Sequence, residues 1–313
     1  MPIKFRFNRW WIVALLAVGL LPVWALFLAR QDEPVYQGRR LGSWLRGHPR
    51  EYIPAVLAVG TNALPYLLAE LQATDSRASQ LGERVLANVS MGPLWRTARD
   101  RRYHAGIGLQ ILDTNAVPAL MGMIFSKPMQ ITEGDPSCSA AMALTFMGSE
   151  AVQKQIGDRL ALALGSPDTV ECRNGCLALS FWPVRRDDNV VSLVSLSRDT
   201  NATIRAAALR AIMMSAWREH LFLPAVVARL EDEQATARRL AVAILSNQGS
   251  NVVVALPALR AAYSDEVTRP NLRGDLGEGV WGTHSWSAQE IRWAIRDAIK
   301  AIDPSAPLPA DPP

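Results

Sequence analysis

At 313 residues the chain suffices for two ordinary globular domains or one elongated repeat array, and its 49% apolar residues supply a core. The formal charge of +4 does not describe the body: Lys4, Arg6, Arg9 and Arg30 lie in an acid-free leader, and the remaining Lys and Arg balance the 29 acids. This excludes a phosphate-binding charge footprint at the whole-domain level, and three cysteines are too few for a disulfide scaffold.

The first element is "RWWIVALLAVGLLPVWALFLAR", with twenty uncharged residues between Arg9 and Arg30. At about 1.5 Å per residue they reach across a bilayer core of about 30 Å, and Trp10, Trp11 and Trp24 lie towards the ends, where indoles favour the interface. A cleavable signal peptide is the rival, but cutting after Ala29 would put Phe27 where a small residue is needed. The expectation is therefore an uncleaved signal anchor: a basic stub and transmembrane segment over 1–30, crossing through residues 10–29. Lys4, Arg6 and Arg9 are matched by Arg30, Arg39 and Arg40 on the other flank, so the charge count ties. The short acid-free start favours a cytoplasmic stub and an exported body, that is, a single-pass protein of a bacterial inner membrane with its body on the periplasmic side.

Residues 31–48 read as a linker. Beyond residue 50, apolar residues recur at three and four spacing in blocks of about a dozen, separated by Gly, Asp, Asn, Ser and Pro, and strand-like alternation is nearly absent. Helix pairs are expected near 63–73 with 77–90, 115–125 with 136–147, 149–164 with 167–181, 188–197 with 201–216, 220–230 with 233–246, and 251–263 with 287–302. Helices near 50–58 and 96–111 would be extra. The phrase "GTNALPYLLAEL" at 60–71 returns as "DTNAVPALMGMI" at 113–124. With Thr61 or Asn62 as cap, Pro65 falls in the first turn, where its missing N–H costs nothing, and Asn115 and Pro118 repeat the pattern. "GSNVVVALPAL" delays Pro257, so that helix must kink or start later.

The breaks are periodic. Asp135, Asp168, Asp199, Asp232 and Asp265 follow at intervals of 33, 31, 33 and 33 residues, the mark of an α-solenoid of helix pairs. In "DTNATIRAAALRAI" and "DEQATARRLAVAIL" an arginine stands six residues after the aspartate; at Asp168 the interval to Arg173 is five, and at Asp75 the sixth position is Leu81. These phrases resemble the HEAT-repeat family, including its phycobilisome-lyase-type HEAT-like branch, over roughly residues 49–302. The resemblance implies an Asp/Arg ladder between repeats, made here by Asp199, Arg205, Asp232 and Arg238. "YQGRRLGSWL" at 36–45 is similar to the lead-in of bacterial membrane-anchored HEAT-repeat proteins. The fold expected is all-α: an α-solenoid of about six HEAT-like helix pairs behind one transmembrane helix.

Candidate functional stretches follow in order. "LWRTARDRRYHAG", residues 94–106, interleaves Arg96, Arg99, Arg101 and Arg102 with Trp95, Tyr103 and His104, as nucleic-acid or anionic-lipid surfaces do; a solvated helix face is the plainer reading. Cys138, Cys172 and Cys176 read as small buried thiols, and no metal site is expected because His48, His104, His220 and His284 are scattered. Arg210 and Arg239, beside the ladder arginines, are candidates for partner binding. The connection 264–286 exceeds the two to eight residues usual between helices, and its Arg273, Trp281, His284 and Trp286 are further candidates. The rival role for Trp281 and Trp286 is to plug the exposed end of the last repeat. The Pro-rich tail, 303–313, is expected to be disordered or polyproline-like.

No nucleophile triad, paired-carboxylate motif, phosphate loop or HExxH stands in the chain, so no catalytic residue and no cofactor are expected. The function expected is a non-enzymatic scaffold that binds other proteins at the membrane. The HEAT-like branch implies an alternative, a lyase or chaperone for a tetrapyrrole-type cofactor, and nucleic acid is a third partner class that requires a cytoplasmic body.

Overall fold

A computed structural model of the chain describes residues 33–75, 97–132, 134–182, 187–214, 219–269 and 287–310. These residues are mostly helical, with one hairpin of β1 (Val35–Tyr36) against β2 (Arg39–Arg40). The helices are α1 (Leu41–Trp44), α2 (Pro49–Val59), α3 (Leu64–Leu71), α4 (Ala98–Leu112), α5 (Val117–Phe125), α6 (Pro136–Thr145) and α7 (Glu150–Leu164). There follow α8 (Thr169–Phe181), α9 (Asp187–Leu196), α10 (Ala202–Met214), α11 (Glu219–Ala228), α12 (Ala235–Gln248), α13 (Leu256–Thr268) and α14 (Ala288–Ile302). The helix expected over 77–90 lies outside the described residues.

Helix starts are set by side chains that accept the orphan N–H groups of a first turn. Thr97, Asp135, Ser149, Asp168 and Ser287 do this for α4, α6, α7, α8 and α14, and Ser287 with Glu290 completes a capping box.

From α4 onward the even-numbered helices pack one on the next, α4 to α14, while α5, α7, α9 and α11 run in a second row beside them. Each even helix is sandwiched, so it needs small residues. Ala206, Ala207, Ala208 and Ala211 of α10 are all buried, as is every residue of α8 from Cys172 to Ser180. Gly175 of α8 lies so near α7 that a Cβ there would sit 2.9 Å from that of Ala163; only glycine permits the approach.

The recurring phrase is a corner. Gly60, Asp113 and Gly249 end α2, α4 and α12 with φ of 61°, 50° and 55° and ψ of −140°, −129° and −139°. A 3₁₀ turn follows each, then a helix with Pro65, Pro118 or Pro257 in its first turn, as the proline chemistry requires. The cap expected from Thr61 or Asn62 is absent: Ala63 precedes α3 with no side-chain bond, because the 3₁₀ turn already engages the preceding residues. The chain bends by 112° at the Asp113 corner.

By length and composition, two stretches among the described residues, Pro49–Leu71 and Ala235–Thr268, are apolar enough to cross a membrane, which is compatible with membrane association. Each is interrupted by one of these corners, and Leu240, Ile244, Leu245 and Leu259 of the second face the core. The expected span 10–29 lies outside the described residues.

Two expectations are corrected. Residues 33–48 are no simple linker: Leu41 and Leu45 are fully buried, Glu33 accepts a bond from the Gly42 N–H at 2.6 Å, and the Trp44 indole donates to the Tyr36 carbonyl at 3.1 Å. Residues 303–310 are fastened to α14 by Lys300, whose ammonium donates to the carbonyls of Pro304 and Ala306 at 2.9 and 3.0 Å, while Ala306 is buried. A short apolar residue and backbone carbonyls suffice for such docking, and neither registers in composition.

Candidate binding surface and the ladder beneath it

Arg205 of α10 is 5% exposed, and such a charge is stable only when its donors are matched. Its Nε and a terminal nitrogen donate to the two carboxylate oxygens of Asp232, each at 3.0 Å, and its other nitrogen donates to the carbonyls of Asp199 and Thr200, also at 3.0 Å. The Asp232 hydrogen bond raises Arg205 above the usual guanidinium value. Arg238 of α12 repeats the pattern: it donates to the carbonyls of Asp232 and Glu233 at 2.9 Å each, and its Nε donates to Glu266 of α13. Arg292 of α14 then donates to the Glu266 carbonyl at 3.0 Å.

Two details differ from the Asp/Arg pattern. The Asp199 carboxylate accepts the N–H of Asn201, so Arg205 uses only the Asp199 carbonyl. The buried acid opposite Arg238 is Glu266, 1% exposed, while Asp265 beside it is solvent-facing. A glutamate one residue on reaches the same guanidinium with its extra methylene.

Arg210 and Arg239 are half-buried between neighbouring helices instead of standing out as contact residues. Arg210 donates from Nε to the Ser180 hydroxyl of α8 at 3.3 Å, and burial lowers its pKa; Arg239 of α12 feels the Asp297 carboxylate of α14. Arg210 stands five residues beyond Arg205 and Arg239 one residue beyond Arg238, and both face a neighbouring even helix. Arg273, Trp281, His284 and Trp286 lie outside the described residues.

The basic stretch at α4 is also spent internally. Arg101 grips Glu70 of α3 through two bonds of 3.0 and 2.8 Å, which raises its pKa, and Arg102 donates to the Ala73 carbonyl at 2.7 Å. His104 Nδ1 lies 3.1 Å from the Tyr52 hydroxyl, leaving Tyr103, 64% exposed, facing solvent. Trp95 and Arg96 lie outside the described residues.

Three thiols are buried and unpaired in disulfides, and burial pushes Cys138 up to about 11, which keeps it protonated and unreactive at neutral pH. Among the described residues no three His, Cys, Asp or Glu side chains are grouped to hold a metal ion. A groove of about 460 Å³ runs between α5 and α7, walled by Val117, Pro118, Met121 and Phe125 and flanked by Arg159. The Arg159 guanidinium lies 4.2 Å from the Phe125 ring centroid and bonds Glu171 at 2.5 Å. Bonds from Ser166 and Arg159 lower the Glu171 pKa.

Large apolar side chains face solvent on both helix rows: Leu162 on α7, Val191 on α9, Met142 on α6, Met214 on α10 and Trp293 on α14. Sequence spacing did not single these out.

Also missed was Asn174 of α8, fully buried, whose amide donates to the Ile124 and Lys127 carbonyls at 2.7 Å and accepts the Met129 N–H at 3.0 Å. Beside it, Arg173 donates to the Met129 carbonyl at 2.8 Å, a bond back to the loop after α5. No sequence signal marks such partners, which lie 44 to 50 residues upstream. Comparison with known protein families finds no family model that matches the chain, and no curated protein matches it either.

Proposed function

We propose that the chain is a single-pass, membrane-anchored α-solenoid of HEAT-like helix pairs that works as a non-enzymatic scaffold, holding one or more other proteins near the membrane. The reading is supported above all by the repeated bond from an even helix to the acid that follows it, 27 residues from Arg205 to Asp232 and 28 from Arg238 to Glu266. A bond that recurs at near-constant spacing is what stacked, sequence-related units produce. Exposed Leu162, Val191, Met142, Met214 and Trp293 then give a partner several separated apolar footholds across both rows. An anchor at 10–29 would hold the body at the membrane, and the short acid-free start ahead of it supports the periplasmic side.

In-cell cross-linking of the full chain with mass spectrometry is the test. Cross-links from α6, α7, α9, α10 or α14 to one or a few proteins are the expected result. A body that captures none and co-purifies with a coloured ligand would overturn the scaffold in favour of the tetrapyrrole lyase or chaperone. Orientation is tested separately: alkaline phosphatase fused after Pro313 is expected to be active.

A further inference from the structure

We propose that the hairpin β1–β2 and the turn after it form a docking face for anionic lipid headgroups of the membrane that carries the anchor. The inference rests on the anchor at 10–29 and deepens it from a tether to a seated contact.

The geometry of attachment carries it. The apolar run ends at Ala29, and Glu33 is already locked to the body: its carboxylate accepts the Gly42 N–H at 2.6 Å and pairs with Arg40 at 3.7 Å. Only Arg30, Gln31 and Asp32 intervene. Four Cα steps extend at most about 14 Å, while the headgroup layer outside the hydrocarbon core is itself about 5–7 Å deep. The hairpin is thus held within about one Debye length of the lipid phosphates, about 8–10 Å at physiological salt.

The exposed side chains of this segment have the matching chemistry. Residues 33–58 hold Arg39, Arg40, Arg46 and Arg50 against only Glu33 and Glu51, and all four arginines are exposed. Arg39 is held with its guanidinium 4.2 Å from the Trp44 ring centroid, and the Trp44 ring meets Tyr36 in turn at a tilt of 56° with ring centroids 5.9 Å apart. An arginine over an indole is an interfacial combination of cation and aromatic ring, and Val35, paired with Arg40 in the hairpin, adds apolar surface that is 59% exposed. Arginine forks also suit phosphate oxygens.

The test uses the full chain with Gln37→Cys at the exposed hairpin tip, labelled with an environment-sensitive dye; Cys138, Cys172 and Cys176 are buried and do not compete. The protein is reconstituted in nanodiscs of phosphatidylcholine with or without phosphatidylglycerol, each doped with a headgroup-nitroxide quencher. Quenching is expected to be at least about twofold stronger with phosphatidylglycerol and to fall to the neutral-lipid level in high salt. The pair Arg39→Gln with Arg40→Gln is expected to remove the difference. Should that pair disturb the hairpin, Arg46→Gln with Arg50→Gln, on surface side chains, is expected to reduce it. Equal quenching in both lipids with the chain firmly incorporated overturns the docking face alone. A chain washed from the discs by alkaline carbonate overturns the anchor and the docking face together.

Discussion

Arg205 and Asp232 are 5% and 6% exposed and hold each other as charges, with Arg229 at 3.2 Å as a second partner of Asp232 and Glu233 at 3.3 Å as a second partner of Arg205. Arg205→Ala is expected to destabilise the protein by about 2–4 kcal/mol, since it leaves the carboxylate with only Arg229 and the Gln234 N–H and strands the carbonyls of Asp199 and Thr200. Replacing both partners by Met and Leu is expected to cost much less, which denaturant unfolding of the two variants measures; equal losses would contradict the pairing. Glu171 gives a pH signature. Its folded pKa is depressed, so its contribution is present above the ordinary value of 4.5 and is lost as pH falls through the folded value. Between about pH 5 and pH 3 the native protein is expected to lose more thermal stability than Glu171→Gln, followed by circular dichroism. Residue-scale legibility was uneven. Arg205 and Arg238 could be named because their phrase repeats, whereas Glu266, Glu70 and Asn174 draw their roles from partners that spacing does not reveal.

At the scale of elements, the corners are the feature with the sharpest consequence. A φ near 60° with ψ near −140° is open to glycine and costs another residue about 1–3 kcal/mol. At Gly60 a Cβ would meet nothing within 4 Å, so Gly60→Ala isolates the backbone cost and is expected to destabilise by that amount. Gly106, inside α4 and equally open, provides the opposite sign: Gly106→Ala is expected to stabilise by about 0.5–1 kcal/mol. Thermal unfolding of the two single variants decides it. Asp113 holds the same corner without being glycine, and a bond of 2.8 Å from the Ser149 hydroxyl to its carboxylate helps offset the strain. The helices themselves were legible because apolar spacing and Pro in the first turn are local signals. The hairpin at 35–40 was not, because two-residue strands leave no period to detect.

For the whole molecule, packing in series matters most. Each even helix rests on its immediate neighbours, so a lesion should stay near its site. Arg238→Ala is expected to speed amide hydrogen exchange in α12 and α14 while leaving α4 and α6 within about twofold of the parent protein. Uniform acceleration along the chain would mean one global cooperative unit instead. The helical character of the chain was legible from apolar spacing, because that signal is local. Which faces remain bare was not, because Arg210 and Arg239 look free in sequence and are half-buried in the fold.

The ladder also bears on recognition. Arg205 ties the backbone at 199–200 to Asp232, Arg238 ties the backbone at 232–233 to Glu266, and Arg292 holds the Glu266 carbonyl. Two separate connections, at 199–200 and 232–233, are therefore tied through Arg205 and Arg238 in one line that ends on Glu266 of α13. A visitor that seats there finds a shape set before it arrives, and little conformational freedom is left to be surrendered when the complex forms.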